Sequence, residues 1–165
     1  MTLLQTLACA AALSLLAMTA WAQTPAPSQQ TTVCQFTDGG QLSLRYEEMP
    51  ARGNDLPAHI WSPGESPMYL FTSTAIKVGD TMIPPGAYSL YVASEKQHWT
   101  LVVNKDVRSE KYDAAQDLAR LPMDRGTIDE PAKDVNLMFG HIAPKQCSLR
   151  IYYGKFGAWA VFAEP

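Results

Sequence analysis

Apolar and polar residues alternate along most of the chain beyond residue 32, which is the pattern of β-strands with one buried and one solvated face. Leu42, Leu44 and Tyr46, for example, are separated by polar neighbours. The alternation recurs in three further segments, carried by Tyr88, Leu90 and Val92, by Trp99, Leu101 and Val103, and by Leu149, Ile151 and Tyr153. Residues 158–163 are apolar at every position, which predicts a central strand or one covered on both faces.

Turn residues separate these segments. Further strands are predicted at 68–78, 81–83 and 135–142, and the sequences Gly79-Asp80 and Pro84-Pro85-Gly86 are typical of the turns between strands. Short strands at regular spacing predict a mostly β fold. We expect an antiparallel β-sandwich of about eight strands, with a jelly-roll-like arrangement or an open barrel as alternatives.

One short helix is predicted to interrupt the strands, over residues 114–121. Asp113 is suited to cap its N-terminus and Pro122 to end it. On a helix, Asp117 and Arg120 share one side, and Asp113 lies about one turn before Asp117. This spacing favours an ion pair that holds the helix to the sheet. The alternative is a pair of aspartate carboxylates that binds a cation or exchanges protons.

Residues 1–22 have the features of a cleaved signal peptide. They contain no charged side chain, and the apolar run from Leu7 to Met18 leads into Ala20-Trp21-Ala22, a small-x-small cleavage pattern. We expect an exported protein, periplasmic or extracellular after cleavage near Ala22, with no membrane span in the mature chain. The Pro, Gln, Ser and Thr content of residues 23–32 predicts a disordered tether, which leaves residues 33–165 as a single domain.

Cys34 and Cys147 are the two cysteines that remain after the predicted cleavage, because Cys9 lies in the signal peptide. An exported protein meets an oxidising compartment, so we expect a disulfide between them, with two buried thiols as the alternative. The bridge would place a strand near the start of the domain beside a strand near its end, or across the core from it.

Charge and motifs argue against several classes of function. The formal net charge is −3 with both signs interspersed, which argues against binding of nucleic acid or of an anionic membrane. The chain contains no His-Glu-x-x-His or Cys-x-x-Cys motif, no phosphate-binding Gly-rich loop and no complete nucleophile elbow. We therefore predict no catalytic residue, metal site or cofactor, and favour a protein without enzymatic activity.

Five residues are candidates for a ligand site: Trp61, Tyr91, Asn104, Asp117 and Arg120. Trp61, in a Pro-rich loop, and Tyr91, on the outward face of its strand, are suited to stack on a sugar ring or a peptide. Structural alternatives are a Trp61 that plugs the end of the sandwich, a turn role for Asn104 and an ion pair between Asp117 and Arg120. The expected partner is a small molecule, a glycan or a protein of the cell envelope.

Several motifs in the second half of the chain resemble one bacterial family. They are Pro85-Gly86-x-Tyr88-Ser89-Leu90-Tyr91, Trp99-Thr100-Leu101, Asn104-Lys105, Tyr112-Asp113 and Asp117-Leu118-x-Arg120-x-Pro122-Met123. The family is the domain of unknown function 2911, and the resemblance covers most of the mature chain. It implies an exported β-sandwich without an assigned reaction.

The resemblance is looser upstream. Trp61 and Gly64 are similar to part of the family's Trp-Arg-x-Gly-Ala-Asn segment, but this chain has Ser62 in place of the Arg and Glu65-Ser66 in place of Ala-Asn. No role of that Arg or Asn is therefore carried over to this chain.

The combined expectation is an exported bacterial β-sandwich that binds a small ligand or has a structural role in the cell envelope. The alternative is a carbohydrate-active or other hydrolase that uses carboxylates such as Glu65, Asp113 or Asp117 beside an aromatic platform. A third class is a subunit that pairs with a partner through an edge strand or an apolar patch.

Overall fold

Eleven strands in two antiparallel sheets make up most of the computed structural model, which describes residues 28–64 and 66–165. The strands are β1 (Gln29–Gln35), β2 (Gln41–Glu47), β3 (His59–Trp61), β4 (Met68–Thr72), β5 (Ile76–Val78), β6 (Thr81–Ile83), β7 (Gly86–Glu95), β8 (His98–Asn104), β9 (Asp117–Pro122), β10 (Asp124–Ala143) and β11 (Gln146–Ala163). The predicted signal peptide lies outside the described residues. Strand β1 includes residues 29–32, which the sequence had assigned to the tether.

The two sheets pack as a sandwich, as predicted. The large sheet has the order β1-β2-β4-β7-β8-β9, with β3 beside the second half of β7, and the small sheet has the order β10-β11-β5-β6. The predicted strand at 68–78 is two strands, because the chain crosses from the large sheet (β4) to the small sheet (β5) through residues 73–75. No helix in the described part of the chain has the length and apolar content needed to cross a membrane.

The core lies between the sheets and is formed by the alternating apolar residues. Leu44 of β2, Leu90 of β7 and Leu149 of β11 have no exposed surface. The predicted disulfide is present, since Cys34 of β1 is bonded to Cys147 of β11. The bridge crosses the core and connects the two sheets, because β1 belongs to the large sheet and β11 to the small one.

The predicted helix at 114–121 is wrong. A 3-10 turn covers only Ala114–Gln116, with the Asp113 carboxylate accepting a hydrogen bond from the Ala115 amide at 2.9 Å. The following residues form the edge strand β9. The three-residue spacing of Asp117 and Arg120 is compatible with a helix, but here a β-bulge produces it. Val103 pairs with Ala119 and Asn104 with Asp117, so Leu118 is one residue more than β8 can match.

Strand β11 joins two segments that the sequence suggested as separate strands. Gly154, with a φ of +54°, lies between them, and a side chain there would meet the backbone of Asn54 at 2.6 Å. Strand β11 is central in its sheet, as predicted, but its outward face around Trp159 is not covered, since 43% of that residue is exposed.

Candidate functional site

Four of the five predicted site residues lie on the outer face of the large sheet. The strand register places Asn104 of β8 beside Asp117 of β9, and Tyr91 of β7 in line with Val102 and then Arg120. The bulge at Leu118 reverses the alternation within β9. Asp117 and Arg120 therefore point to the same side although three residues separate them.

The Asp117 carboxylate is the centre of a hydrogen-bond network. Arg120 donates from Nε to Asp117 Oδ2 at 3.0 Å, and its Nη2 lies 2.9 Å from the same oxygen. The Tyr112 hydroxyl donates to Asp117 Oδ2 at 2.6 Å and accepts from Arg120 Nη2 at 2.5 Å. The Asn104 amide donates to Asp117 Oδ1 at 2.9 Å. Both oxygens of the carboxylate therefore have partners within the protein.

Burial and neighbouring charge hold this network in one protonation state. Burial raises the pKa of Tyr112, and its hydrogen bond to Asp117 raises that pKa further. Burial alone would lower the pKa of Arg120, but the contacts with Asp117 and Tyr112 outweigh it and raise the pKa. The phenol therefore stays protonated and the guanidinium stays charged at neutral pH.

The network fastens the segment 105–116 to the sheet. Asn104 Nδ2 donates to the Asp113 carbonyl at 2.9 Å, and Ser89 Oγ donates to the Asp106 carbonyl at 2.6 Å. The ring of Tyr112 packs edge-on against Tyr91 at a centroid distance of 5.0 Å. Only 4% of Tyr91 is exposed, so the expectation of an exposed Tyr91 is wrong. Next to the network, Arg120 borders a groove of about 230 Å³ with Lys96, His98 and Thr100 among its lining residues.

Trp61 does not join the other four residues. It pairs with Val92 in β3, points into the core, and packs edge-on against Tyr153 at a centroid distance of 5.7 Å. Its exposed fraction is 7%. The predicted residues therefore do not form a shared aromatic platform.

A larger opening lies on the outer face of the small sheet, in the bent hairpin of β10 and β11. This hairpin cleft has a volume of about 510 Å³, and its main lining side chains are Ile128, Ile142, Arg150, Tyr152, Trp159 and Val161. The residues come from both sides of Gly154, so the bend in β11 makes the outer face concave. No carboxylate of the described residues lines the cleft.

Irregular pairing in the hairpin shapes the cleft. Thr127 pairs with Phe156 and Ala132 with Gly154, so residues 128–131 stand opposite a single residue of β11. A strand bends at such a bulge. Gly157 gives room on the cleft floor, because a side chain there would begin 3.2 Å from both Ile128 and Tyr152.

Arg150 is the one charged side chain among the described residues that line the hairpin cleft. Its guanidinium lies over Gly140, whose Cβ position would be 3.6 Å from Arg150 Cζ. In the described part of the chain, this side chain has neither a hydrogen bond nor an ion pair nor an aromatic ring beneath it. The cleft thus combines apolar walls with an available cationic donor.

A second, more polar cavity of about 720 Å³ adjoins the hairpin cleft, and Tyr152 and Ile128 line both. Its lining includes Glu48, Glu130 and Asp134 but only one cation, Lys133. We name it the acidic cavity.

The sequence interpretation missed the hairpin cleft. The signal was the apolar character of both faces of residues 158–163, which we attributed to a strand covered on both sides. The same pattern arises where one face of a strand lies on the core and the other lines an apolar cleft. Here Trp159 and Val161 lie on the face that lines the cleft. Periodicity alone does not distinguish the two cases.

The two described carboxylates considered for hydrolysis, Asp113 and Asp117, both have hydrogen-bond partners within the protein. Asp117 is held by Arg120 and Tyr112, Asp113 caps the 3-10 turn, and Glu65 lies outside the described residues. Within residues 28–64 and 66–165, no three His, Cys, Asp or Glu side chains are grouped so that they could hold a metal ion.

Comparison with known proteins gives a family but no function. The model of a family described as a protein of unknown function (DUF2911) matches residues 28–159. No curated protein and no solved structure matches the chain.

Proposed function

Because the chain belongs to the DUF2911 family, whose description assigns no function, we propose from its own residues that it is an exported module that binds a small ligand in the hairpin cleft. The cleft carries this proposal. Its volume of about 510 Å³ falls in the range of small-molecule sites, and its lining is mainly apolar with few polar groups.

The exposure of Trp159 supports a ligand at this place. A large aromatic side chain that stays 43% exposed on a concave surface keeps apolar surface in water after folding, and a ligand that covers this surface gains free energy from its burial. Ile142, at 46% exposure, lines the same cleft. Isolated exposed apolar residues are ordinary, whereas a concave group of them is typical of a binding site.

Two features support export. Residues 1–22 have the sequence of a signal peptide, and the disulfide between Cys34 and Cys147 is of a kind that persists in oxidising compartments. Mass spectrometry of the protein recovered from the periplasm or the medium should give a chain that begins at Gln23. A chain that begins at Met1 in those fractions would contradict the cleavage.

Ligand binding is tested by a thermal-shift and tryptophan-fluorescence screen of small aromatic and aliphatic compounds, sugars and short peptides. We expect apolar ring compounds to raise the melting temperature and to quench the fluorescence, because Trp159 would lie against the ligand. Trp159→Ala should remove both responses. Phe71→Ala is the matched control, since Phe71 is 41% exposed on the other sheet. An absent response, or an equal loss in both variants, would refute the proposal.

A further inference from the structure

We infer that the ligand of the hairpin cleft is an apolar or aromatic monoanion whose carboxylate, or equivalent oxyanion, is bound by Arg150. This inference rests on the proposed function, since it names the chemical class that the cleft selects.

The guanidinium of Arg150 is available to a ligand. Two other arginines of the described chain are paired with carboxylates, Arg120 with Asp117 and Arg125 with Asp55. Arg150 has no such partner, although a guanidinium matches a carboxylate with two parallel hydrogen bonds. An anionic group on the ligand would supply the missing partner.

Most of the side chains that line the cleft with this guanidinium are apolar. Ile128, Ile142, Trp159 and Val161 form the walls, and a ligand that fills the space excludes water from them. An ion pair is stronger where the effective dielectric constant is low. The apolar body of the ligand therefore strengthens the contact that its anionic end makes with Arg150.

The charged residues at the two ends of the cleft orient the ligand. Arg150 pairs with Met138, and Tyr152, next on the same face of β11, pairs with Asn136, which lines the acidic cavity. Beyond Tyr152, the three carboxylates and one ammonium of that cavity give a local charge of −2 (one positive minus three negative). The anion of the ligand therefore lies at the Arg150 end, and a second negative charge near Tyr152 is repelled. The cleft selects monoanions over dianions.

The test compares two nearly isosteric probes, 2-naphthoate and its uncharged carboxamide, by calorimetric or fluorescence titration of the purified protein. We expect the carboxylate to bind at least about tenfold more tightly, and added salt to weaken its binding alone. Arg150→Met should remove the difference in affinity between the two probes, and Arg150→Lys should keep part of it. Lys77→Met is the control, a cation of the same sheet that pairs with Asp80.

The outcomes separate the two proposals. Equal binding of both probes, or a carboxylate preference that survives in Arg150→Met, would overturn the inference and leave the proposed function standing. Binding of neither probe, with sedimentation showing a dimer that Trp159→Ala dissociates, would assign the cleft to a second copy of the chain and overturn both. Binding of neither probe to a monomer would overturn the inference alone, and the wider thermal-shift screen would then decide the proposed function.

Discussion

Asp117 is a candidate ligand-binding residue whose carboxylate is used in contacts within the protein. Its carboxylate accepts hydrogen bonds from Arg120, Tyr112 and Asn104. Each of these donors is in turn placed by the sheet or by the segment 105–116. The arrangement resembles a site, but its polar groups are used to hold that segment against β7 and β8.

Asp117→Ala should lower the free energy of unfolding by about 1–3 kcal/mol, because Asn104 and Tyr112 would lose an acceptor in a buried setting. The Asp117 side chain is only 13% exposed. Urea unfolding monitored by fluorescence measures the change. The control is Asp80→Ala, which breaks the exposed pair with Lys77 and should cost no more than about 0.5 kcal/mol. Similar costs for the two variants would contradict the structural role.

Glu164 is a buried carboxylate whose environment disfavours its charge. Glu164 is only 8% exposed. Its Oε1 would lie 2.5 Å from a Cβ atom placed on Gly40. Burial raises its pKa above the ordinary value of 4.5, and the nearby Asp38 carboxylate raises it further.

This raised pKa predicts a pH dependence of stability with a definite sign. Between pH 4.5 and the higher folded pKa, the folded state binds more protons than the unfolded state. The contribution of Glu164 to the free energy of unfolding is therefore fully present below pH 4.5 and is lost as the pH rises through the folded pKa. Glu164→Gln should remove this dependence. Chemical unfolding at several pH values from about 4 to 8 gives the stability difference between wild type and variant. A difference that does not change with pH would refute the prediction.

Individual elements show where sequence patterns are reliable. The alternation around Leu42, Leu90 and Leu101 predicted strands that the structure contains, because in each case one face lies on the core. The segment 114–121 misled the interpretation for a specific reason. A single bulge residue, Leu118, converts the two-residue period of β9 into a three-residue spacing, and that spacing is also the mark of a helix.

Gly154 lies within β11 where the strand passes close to the backbone of residues 53 and 54. Gly154→Ala should destabilise the protein by at least about 2 kcal/mol, because φ is +54° and the new Cβ would lie 2.6 Å from the carbonyl oxygens of Gly53 and Asn54. Thermal unfolding measures the effect. Gly126→Ala, in the same hairpin with nothing within 4 Å of its Cβ position, should change stability by less than about 1 kcal/mol. Equal effects would show that the close approach at Gly154 is not strained.

For the whole molecule, the disulfide between β1 and β11 limits how far the two sheets separate on unfolding. It joins residues 113 positions apart. The Cys34→Ser and Cys147→Ser double variant should lose about 2–5 kcal/mol of unfolding free energy, measured by urea unfolding. A reductant should lower the stability of the wild type towards that of the variant and leave the variant unchanged. A reductant effect of equal size on the variant would show that the bridge is not the cause.

The overall fold was more accessible from the sequence than the hairpin cleft was. Alternation and the two cysteines predicted a sandwich with a bridge, because both depend on residues close to the core. The cleft depends on the bend of β11 at Gly154 and on residues 128–131, which have no partners in β11. Neither feature produces a periodic pattern in the sequence. The sequence pattern therefore gives no signal for Arg150, and it places Trp159 in a central strand or one covered on both faces.

The unpaired residues 128–131 form a cleft wall that the strand ladder does not constrain. They have no partners across the hairpin, and Ile128 among them forms part of the cleft wall. Replacements here should leave the register on both sides, and the core between the sheets, unchanged. An engineer who exchanges this wall should therefore be able to alter the proposed ligand selectivity of the cleft without redesigning the core.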